Sequence, residues 1–204
     1  MNHYYTNQSN TKSKPILIKA YFPFQEFDFW TDHGVFSKDT IDFGSRLLIE
    51  TARHHLPEGR MLDVGCGYGP IGIVLASLQP THRMDLVDIN DRAIALAAKN
   101  AQINHCENVS VFHSDRFEQV TERYAMILTN PPVRAGKHIV HAMIEEAKDY
   151  LLDDGTFWVV LQQKQGAPSA KQKMLDVFGH VEVMAKDKGY YILCSRKLKA
   201  EGNA

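Results

Sequence analysis

Three acids and one proline-locked amide are the side chains here whose types and spacing point to chemistry. In "MLDVGCGYGPIG", Asp63 stands two residues before Gly65, and Gly67 follows. Glycine lets the chain turn sharply and lets a ligand approach main-chain N–H groups unhindered. The same stretch satisfies the G-x-G-x-x-G pattern of dinucleotide sites, and Asp88 follows at about the 20-residue spacing of a ribose-binding acid. A nicotinamide dehydrogenase therefore stays open on this motif alone. Asp63 separates the readings: a carboxylate at the mouth of the turn repels a pyrophosphate and suits a ligand with an ammonium and a sulfonium group, as in S-adenosyl-L-methionine. On this reading Asp88 takes the ribose hydroxyls with its two oxygens, and Asp115, in "VFHSDRF", accepts from the adenine amino group. Asn90 is assigned a structural role, as cap of the following helix.

"LTNPPVRAGK" brings Asn130, Pro131 and Pro132 to the end of an apolar stretch. Asn-Pro also opens ordinary turns. Here, however, two prolines stiffen the backbone so that the Asn130 side-chain oxygen and the Pro131 carbonyl can converge on one nitrogen. An exocyclic amine on a base or amide is a poor nucleophile, because its lone pair is delocalised. Two acceptors aimed at its N–H groups pull it toward a tetrahedral shape and direct the lone pair at an electrophilic carbon.

These residues need a scaffold that gathers strand ends. From Arg60 the chain alternates apolar runs with helix-period stretches: strands at 60–64, 83–88, 108–113, 124–129 and 155–162, and helices at 70–79, 91–104, 137–151 and 169–179. Strands at 181–186 and 189–195 follow, with "DKG" between them as a tight hairpin turn. The alternation predicts an α/β fold with a mostly parallel sheet covered on both faces and an antiparallel pair at its end. Asp63, Asp88, Asp115 and Asn130 then all stand at carboxyl ends of strands, around one crevice. Upstream, "ILIKAYFPFQEFDFW" reads as one or two extended segments and "DTIDFGSRLLIETARHHL" as a helix.

At 204 residues the chain supports one core, expected over 15–199 with an N-terminal extension at 15–58 and polar tails at 1–14 and 200–204. A formal charge of -1 makes any nucleic-acid affinity a matter of a local patch. Cys66, Cys106 and Cys194 form no CxxC pair, which points to free thiols in a reducing compartment rather than to disulfides or zinc. With no apolar run of bilayer length and no apolar signal-peptide core, a cytoplasmic location without membrane contact is expected.

"FWTDHGVFSKDTIDFGSRLLIE", "LDVGCGYGPIG" and "TNPPVRAG" together resemble a known family. It is the class I S-adenosylmethionine-dependent methyltransferases acting on amino groups, and within them the RsmC/YbxB-type small-subunit ribosomal RNA guanine-N2 methyltransferases. The resemblance implies a Rossmann-like, seven-stranded sheet in the order 3-2-1-4-5-7-6, strand 7 antiparallel. It implies cofactor contacts at Asp63, Gly65, Gly67, Asp88 and Asp115, and catalysis at Asn130 with Pro131 and Pro132. The substrate would be N2 of a guanosine in ribosomal RNA or the small ribosomal subunit.

Phe29, Thr31, Val35, Phe36 and Ser37 match positions that the family places over the cleft. Packing is the expected role of Phe29 and Val35, while Thr31, Phe36, Val133 and Arg134 are the substrate candidates. Val133 replaces an aromatic that usually stacks on the target base, which leaves Phe36 or His138 as substitute surfaces. Protein glutamine-amide and DNA adenine methyltransferases use similar Asn-Pro-Pro loops and are the alternatives, with a non-catalytic cofactor-binding assembly factor as a third. His138, His141 and Glu145 lack the partners of a metal motif, so no metal is expected. Arg134, Lys137, Lys164, Lys171 and Lys173 read as solvated surface, with phosphate contact as the sharper alternative.

Overall fold

The computed structural model describes residues 13–33, 40–133 and 136–199. Strands β1 (Ile16–Tyr21) and β2 (Glu26–Thr31) form an antiparallel hairpin, and helix α1 (Phe43–Ala52) follows. The core then runs β3 (Met61–Val64), α2 (Pro70–Leu78), β4 (Met84–Asp88), α3 (Asp91–Ile103), β5 (Val109–His113) and β6 (Tyr124–Thr129). It ends with α4 (Lys137–Tyr150), β7 (Leu151–Gln162), α5 (Ala167–Phe178), β8 (Glu182–Asp187) and β9 (Tyr190–Arg196).

The large sheet has the order β5-β4-β3-β6-β7-β9-β8, with β9 alone antiparallel to its neighbours. This is the seven-stranded, Rossmann-like topology expected from the sequence. Alternation along the strands feeds two apolar layers. Met61, Met126, Leu128, Trp158 and Val160 face α1 to α3, whereas Leu62, Ile127, Phe157, Val159 and Leu161 face α4 and α5. Both faces are covered by helices, as a parallel sheet requires.

The boundaries differ from expectation in two informative places. Strand β7 begins at Leu151 rather than at 155, because "LLDDG" is a bulged lead-in paired to β6 and not a turn. Asp154 takes a left-handed φ of 63°, and its N–H donates to the Lys197 carbonyl at 2.7 Å. Helix α1 starts only after Asp42, whose carboxylate accepts from the Ser45 N–H and caps it. The "DKG" turn forms as read, with Lys188 and Gly189 both at positive φ, the geometry of a two-residue hairpin.

The hairpin β1–β2 is joined to the core by asparagines. Asn100 and Asn104, one turn apart on α3, act as a strand edge for β2. Asn100 Oδ1 accepts from the Trp30 N–H at 2.7 Å and its Nδ2 donates to the Trp30 carbonyl at 2.9 Å. Asn104 repeats the pattern on Asp28. The exposed donors and acceptors of an edge strand are thereby satisfied. Phe27 and Phe29 stack beneath, and Phe29 meets the Tyr68 ring edge-on. Phe29 is fully buried, the packing role expected of it.

Candidate active site

Strand order reverses at β3, between β4 and β6, and a cleft of about 600 Å³ opens at the carboxyl ends of these strands. Its walls include Gly65, Gly67, Asp88, Asp115, Asn130, Pro131, Pro132 and Val133. The structure therefore brings together most of the residues singled out above.

The glycine loop is built against anions. Gly65 and Cys66 donate their N–H groups to the Val87 carbonyl at 2.8 and 3.0 Å, and Gly67 donates to Asp88 at 2.9 Å. These donors are thereby committed within the protein. At the start of α2 Pro70 has no N–H, and the Gly72 N–H donates to Asp63 at 2.9 Å, so the protein's own carboxylate occupies the position an anion would take. The loop thus offers a pyrophosphate fewer main-chain donors, which counts against the dinucleotide reading.

Asp63 differs from its expected place. Its side chain lies fully buried beneath the turn and does not line the cleft. Gly72 is the reason: a Cβ there would lie 3.2 Å from Asp63 Oδ2 and 2.6 Å from Leu86, so its absence lets the carboxylate tuck under α2. Burial pushes the Asp63 carboxyl up to about 7, opposed by the Gly72 hydrogen bond and reinforced by Asp88. Its Oδ1 is buried without a hydrogen-bond partner among the described residues.

Asp88 ends β4. Its oxygens accept from the Gly67 and Asn90 N–H groups, each at 2.9 Å, which leaves lone pairs on both for ligand hydroxyls. Burial raises its carboxyl, against those hydrogen bonds. Asn90 caps α3 as assigned, accepting from the Arg92 and Ala93 N–H groups. Asp115 sits at the outer rim, 38% exposed, with Oδ1 held by Arg116 at 2.9 Å. Arg116 is itself paired to Glu146. Cys66 lines the cleft, and burial and the two nearby carboxylates push its thiol up, which disfavours the thiolate.

A sulfonium amino-acid nucleoside fits these residues. Gly65 and Gly67 take φ of 71° and 58°, and a Cβ on Gly67 would project into open space, so the loop surface is free for a ligand. Asp88 lies beside it and Asp63 beneath it, and among the described residues no basic side chain is hydrogen-bonded to either.

Strand β6 delivers Asn130. Its Nδ2 donates to Ser45 Oγ at 2.9 Å and to Asp42 Oδ1 at 3.2 Å. A carboxylate only accepts, so the atom facing Asp42 must be the amide nitrogen. Asn130 Oδ1 is then left without a partner among the described residues, on the cleft wall. The Pro131 carbonyl accepts from the Val133 N–H at 2.8 Å, a tight turn that leaves one lone pair. Tyr190 at the start of β9 lines the same cleft, its ring 5.4 Å from Phe43. A Cβ on Gly44 would come within 2.9 Å of the Tyr190 ring, so that glycine makes its room.

Asp42, Ser45 and Tyr190 were not foreseen from the sequence. The legible signal for the first two is the Asp-Phe-Gly-Ser spacing of a helix cap. Thr31 is fully buried at the end of β2 and does not line the cleft. Val133 lines the cleft and packs on the α4–α5 layer. Val35, Phe36, Ser37 and Arg134 lie outside the described residues. His138 is exposed at the start of α4, His141 is 2.9 Å from Ser169 Oγ, and Glu145 pairs with Lys173.

Known proteins place this geometry. The chain is 45% identical over 198 residues to the uncharacterized protein YbxB of Bacillus subtilis (strain 168), covering 96% of this chain and 98% of that one. It is 32% identical over 183 residues to ribosomal RNA small subunit methyltransferase C of Erwinia tasmaniensis, 88% of this chain but 52% of that protein. It thus spans about half the length of that relative. A T. thermophilus 16S rRNA N2 methyltransferase (RsmC), solved with AdoMet and guanosine, shares the fold with a TM-score of 0.80 at 24% identity. That likeness covers 90% of this chain and 50% of the other. The methyltransferase small domain model matches residues 26–194, and with this strand order and a cleft at its carboxyl edge, the chain belongs to the methyltransferase small domain family.

Proposed function

We propose that this protein transfers a methyl group from S-adenosyl-L-methionine to an exocyclic amino nitrogen, N2 of a guanosine in small-subunit ribosomal RNA. The observation that carries the amine target is the Asn130 amide, with both N–H groups committed to Asp42 and Ser45 and its oxygen left for a substrate. Guanosine in ribosomal RNA is supported by the relatives named ribosomal RNA small subunit methyltransferase C and by the RsmC structure with guanosine.

When bound, the cofactor supplies an electrophilic methyl carbon on a sulfonium. Asp88 would hold its ribose hydroxyls, Asp115 its adenine edge, and the Gly65–Gly67 backbone would bound its chain, while Asp63 supports the loop from below. Asn130 Oδ1 and the second lone pair of the Pro131 carbonyl each accept one N–H of the target amine. The nitrogen lone pair is thereby released from the ring and turned toward the methyl carbon. Transfer would form the N–C bond as the S–C bond breaks, the bonding pair staying on sulfur. The nitrogen becomes acidic only as it is methylated, so its surplus proton leaves afterwards to an acceptor oxygen or water, and no prior general base is needed. Tyr190 supplies the aromatic surface that Val133 cannot.

The test is incubation of the purified protein with methyl-labelled S-adenosyl-L-methionine and, separately, small subunits, large subunits, transfer RNA, DNA and a protein extract. Label recovered as N2-methylguanosine from small subunits, and absent with Asn130→Ala, is the expected result. Label in a glutamine amide or in adenine would keep the chemistry and replace the target. Cofactor binding with no label in any sample would leave a non-catalytic binder.

A further inference from the structure

We propose that the first turn of α1 is the positioning device of the reaction, Asp42 and Ser45 acting as a clamp that holds the Asn130 amide with its oxygen toward the substrate. The proposal rests on the reading of Asn130 as the acceptor for the target amine. An asparagine amide has two faces of similar shape and opposite polarity, and rotation by half a turn would present NH₂ to an amine that also donates. Nothing in Asn130 itself forbids that rotation. The Asp42 carboxylate does: in the flipped state the amide oxygen would stand about 3.2 Å from a carboxylate oxygen, acceptor against acceptor, while the Ser45 hydroxyl, able to donate or accept, follows the polarity that Asp42 sets.

The clamp is rigid for reasons independent of Asn130. Asp42 Oδ1 is also the helix cap, accepting from the Ser45 N–H at 3.0 Å, so the atom that orients the amide is fixed by the helix it starts. Ser45 is buried, and Leu48, Ile49 and Ala52 on the same helix are fully buried in the core. Gly44, between the two clamp residues, gives the Tyr190 ring its space. One helical turn thus sets the polarity of the acceptor and leaves room for the Tyr190 ring in the same cleft. A distant misplacement of about 1 Å can cost a hundredfold in rate, and a lost orientation is a comparable fault.

Three variants separate positioning from folding. Asp42→Ser keeps a good helix cap but withdraws the carboxylate. Ser45→Ala removes one acceptor and leaves the cap intact. Asp42→Asn keeps a cap and one acceptor oxygen. We expect kcat to fall at least tenfold in Asp42→Ser and severalfold in Ser45→Ala, with cofactor Kd by calorimetry unchanged. Asp42→Asn should recover most of the Asp42→Ser loss. In ¹⁵N NMR the Asn130 side-chain amide protons should exchange slowly in the parent and fast in Asp42→Ser and Ser45→Ala. Full kcat and slow exchange in both of these variants, with Asn130→Ala inactive, would overturn the clamp alone. Full turnover in Asn130→Ala would instead remove the role of Asn130 on which the clamp rests. Should Asp42→Ser not fold, Ser45→Ala decides by the same two readouts.

Discussion

At the scale of single residues, the proposed chemistry rests on the polarity of one amide, Asn130, and on the acids Asp88 and Asp115 that line the same cleft. Asn130→Asp is nearly isosteric, yet it would place a second carboxylate about 3.2 Å from Asp42, where the parent has a donor. Turnover is expected to drop as far as in Asn130→Ala, at least a hundredfold, while cofactor binding by calorimetry persists, because neither glycine loop nor Asp88 is touched. Tyr190→Ala should behave differently. Its ring lines the same cleft as Asn130, and base stacking on such a ring is worth about 1–3 kcal/mol. KM for the RNA substrate is expected to rise about tenfold or more, with the cofactor KM unmoved; an unchanged RNA KM would return the stacking role to another side chain.

Between elements, the joints are made by asparagines whose two-sided amides imitate a backbone. Asn100 is fully buried on α3, and besides its pair of bonds to Trp30 it donates to the Tyr68 carbonyl at 2.8 Å, tying the hairpin, α3 and the glycine loop together. Asn100→Ala strands a strand N–H and two carbonyls away from partners. Since leaving a buried polar group unpaired costs about 1–3 kcal/mol, a loss of about 3 kcal/mol or more in denaturant unfolding is expected. Asn100→Asp should be no better, since a carboxylate cannot donate to either carbonyl. At the amino ends of the strands Asp85 plays a comparable part, accepting from Tyr124 at 2.7 Å and pairing with Arg60. That network lies away from the cleft and is structural.

For the molecule as a whole, placing acids at the carboxyl edge has a thermodynamic cost that shows as pH dependence. Burial raises the Asp63 carboxyl from 3.8 to about 7 in the folded state, so between these values the folded chain holds a proton that the unfolded chain has lost. Its contribution is therefore full below about pH 4, declines as pH rises and levels off above about pH 7. Asp88, also raised, adds in the same direction. Unfolding free energies measured from pH 4 to 8 should decline less steeply in Asp63→Asn, which keeps an acceptor for the Gly72 N–H but carries no charge. A parallel decline in both proteins would assign the slope to other groups.

The order of strands and helices from Arg60 onward was legible because a parallel sheet covered on both faces imposes its apolar alternation on the chain. The tight turn at Lys188–Gly189 and the cap at Asn90 were legible because their causes are local. Carboxyl-edge placement of Asp88, Asp115 and Asn130 followed from the same register. What the sequence could not tell was which way side chains turn once elements pack. Asp63 goes under its loop instead of into the cleft because Gly72, nine residues on, leaves room for it. Asp42 and Ser45 reach Asn130 across 88 and 85 residues of chain, a separation at which no local pattern carries information. The composition of the site was written in strand periodicity, and its polarity was decided only when α1 docked against the end of β6.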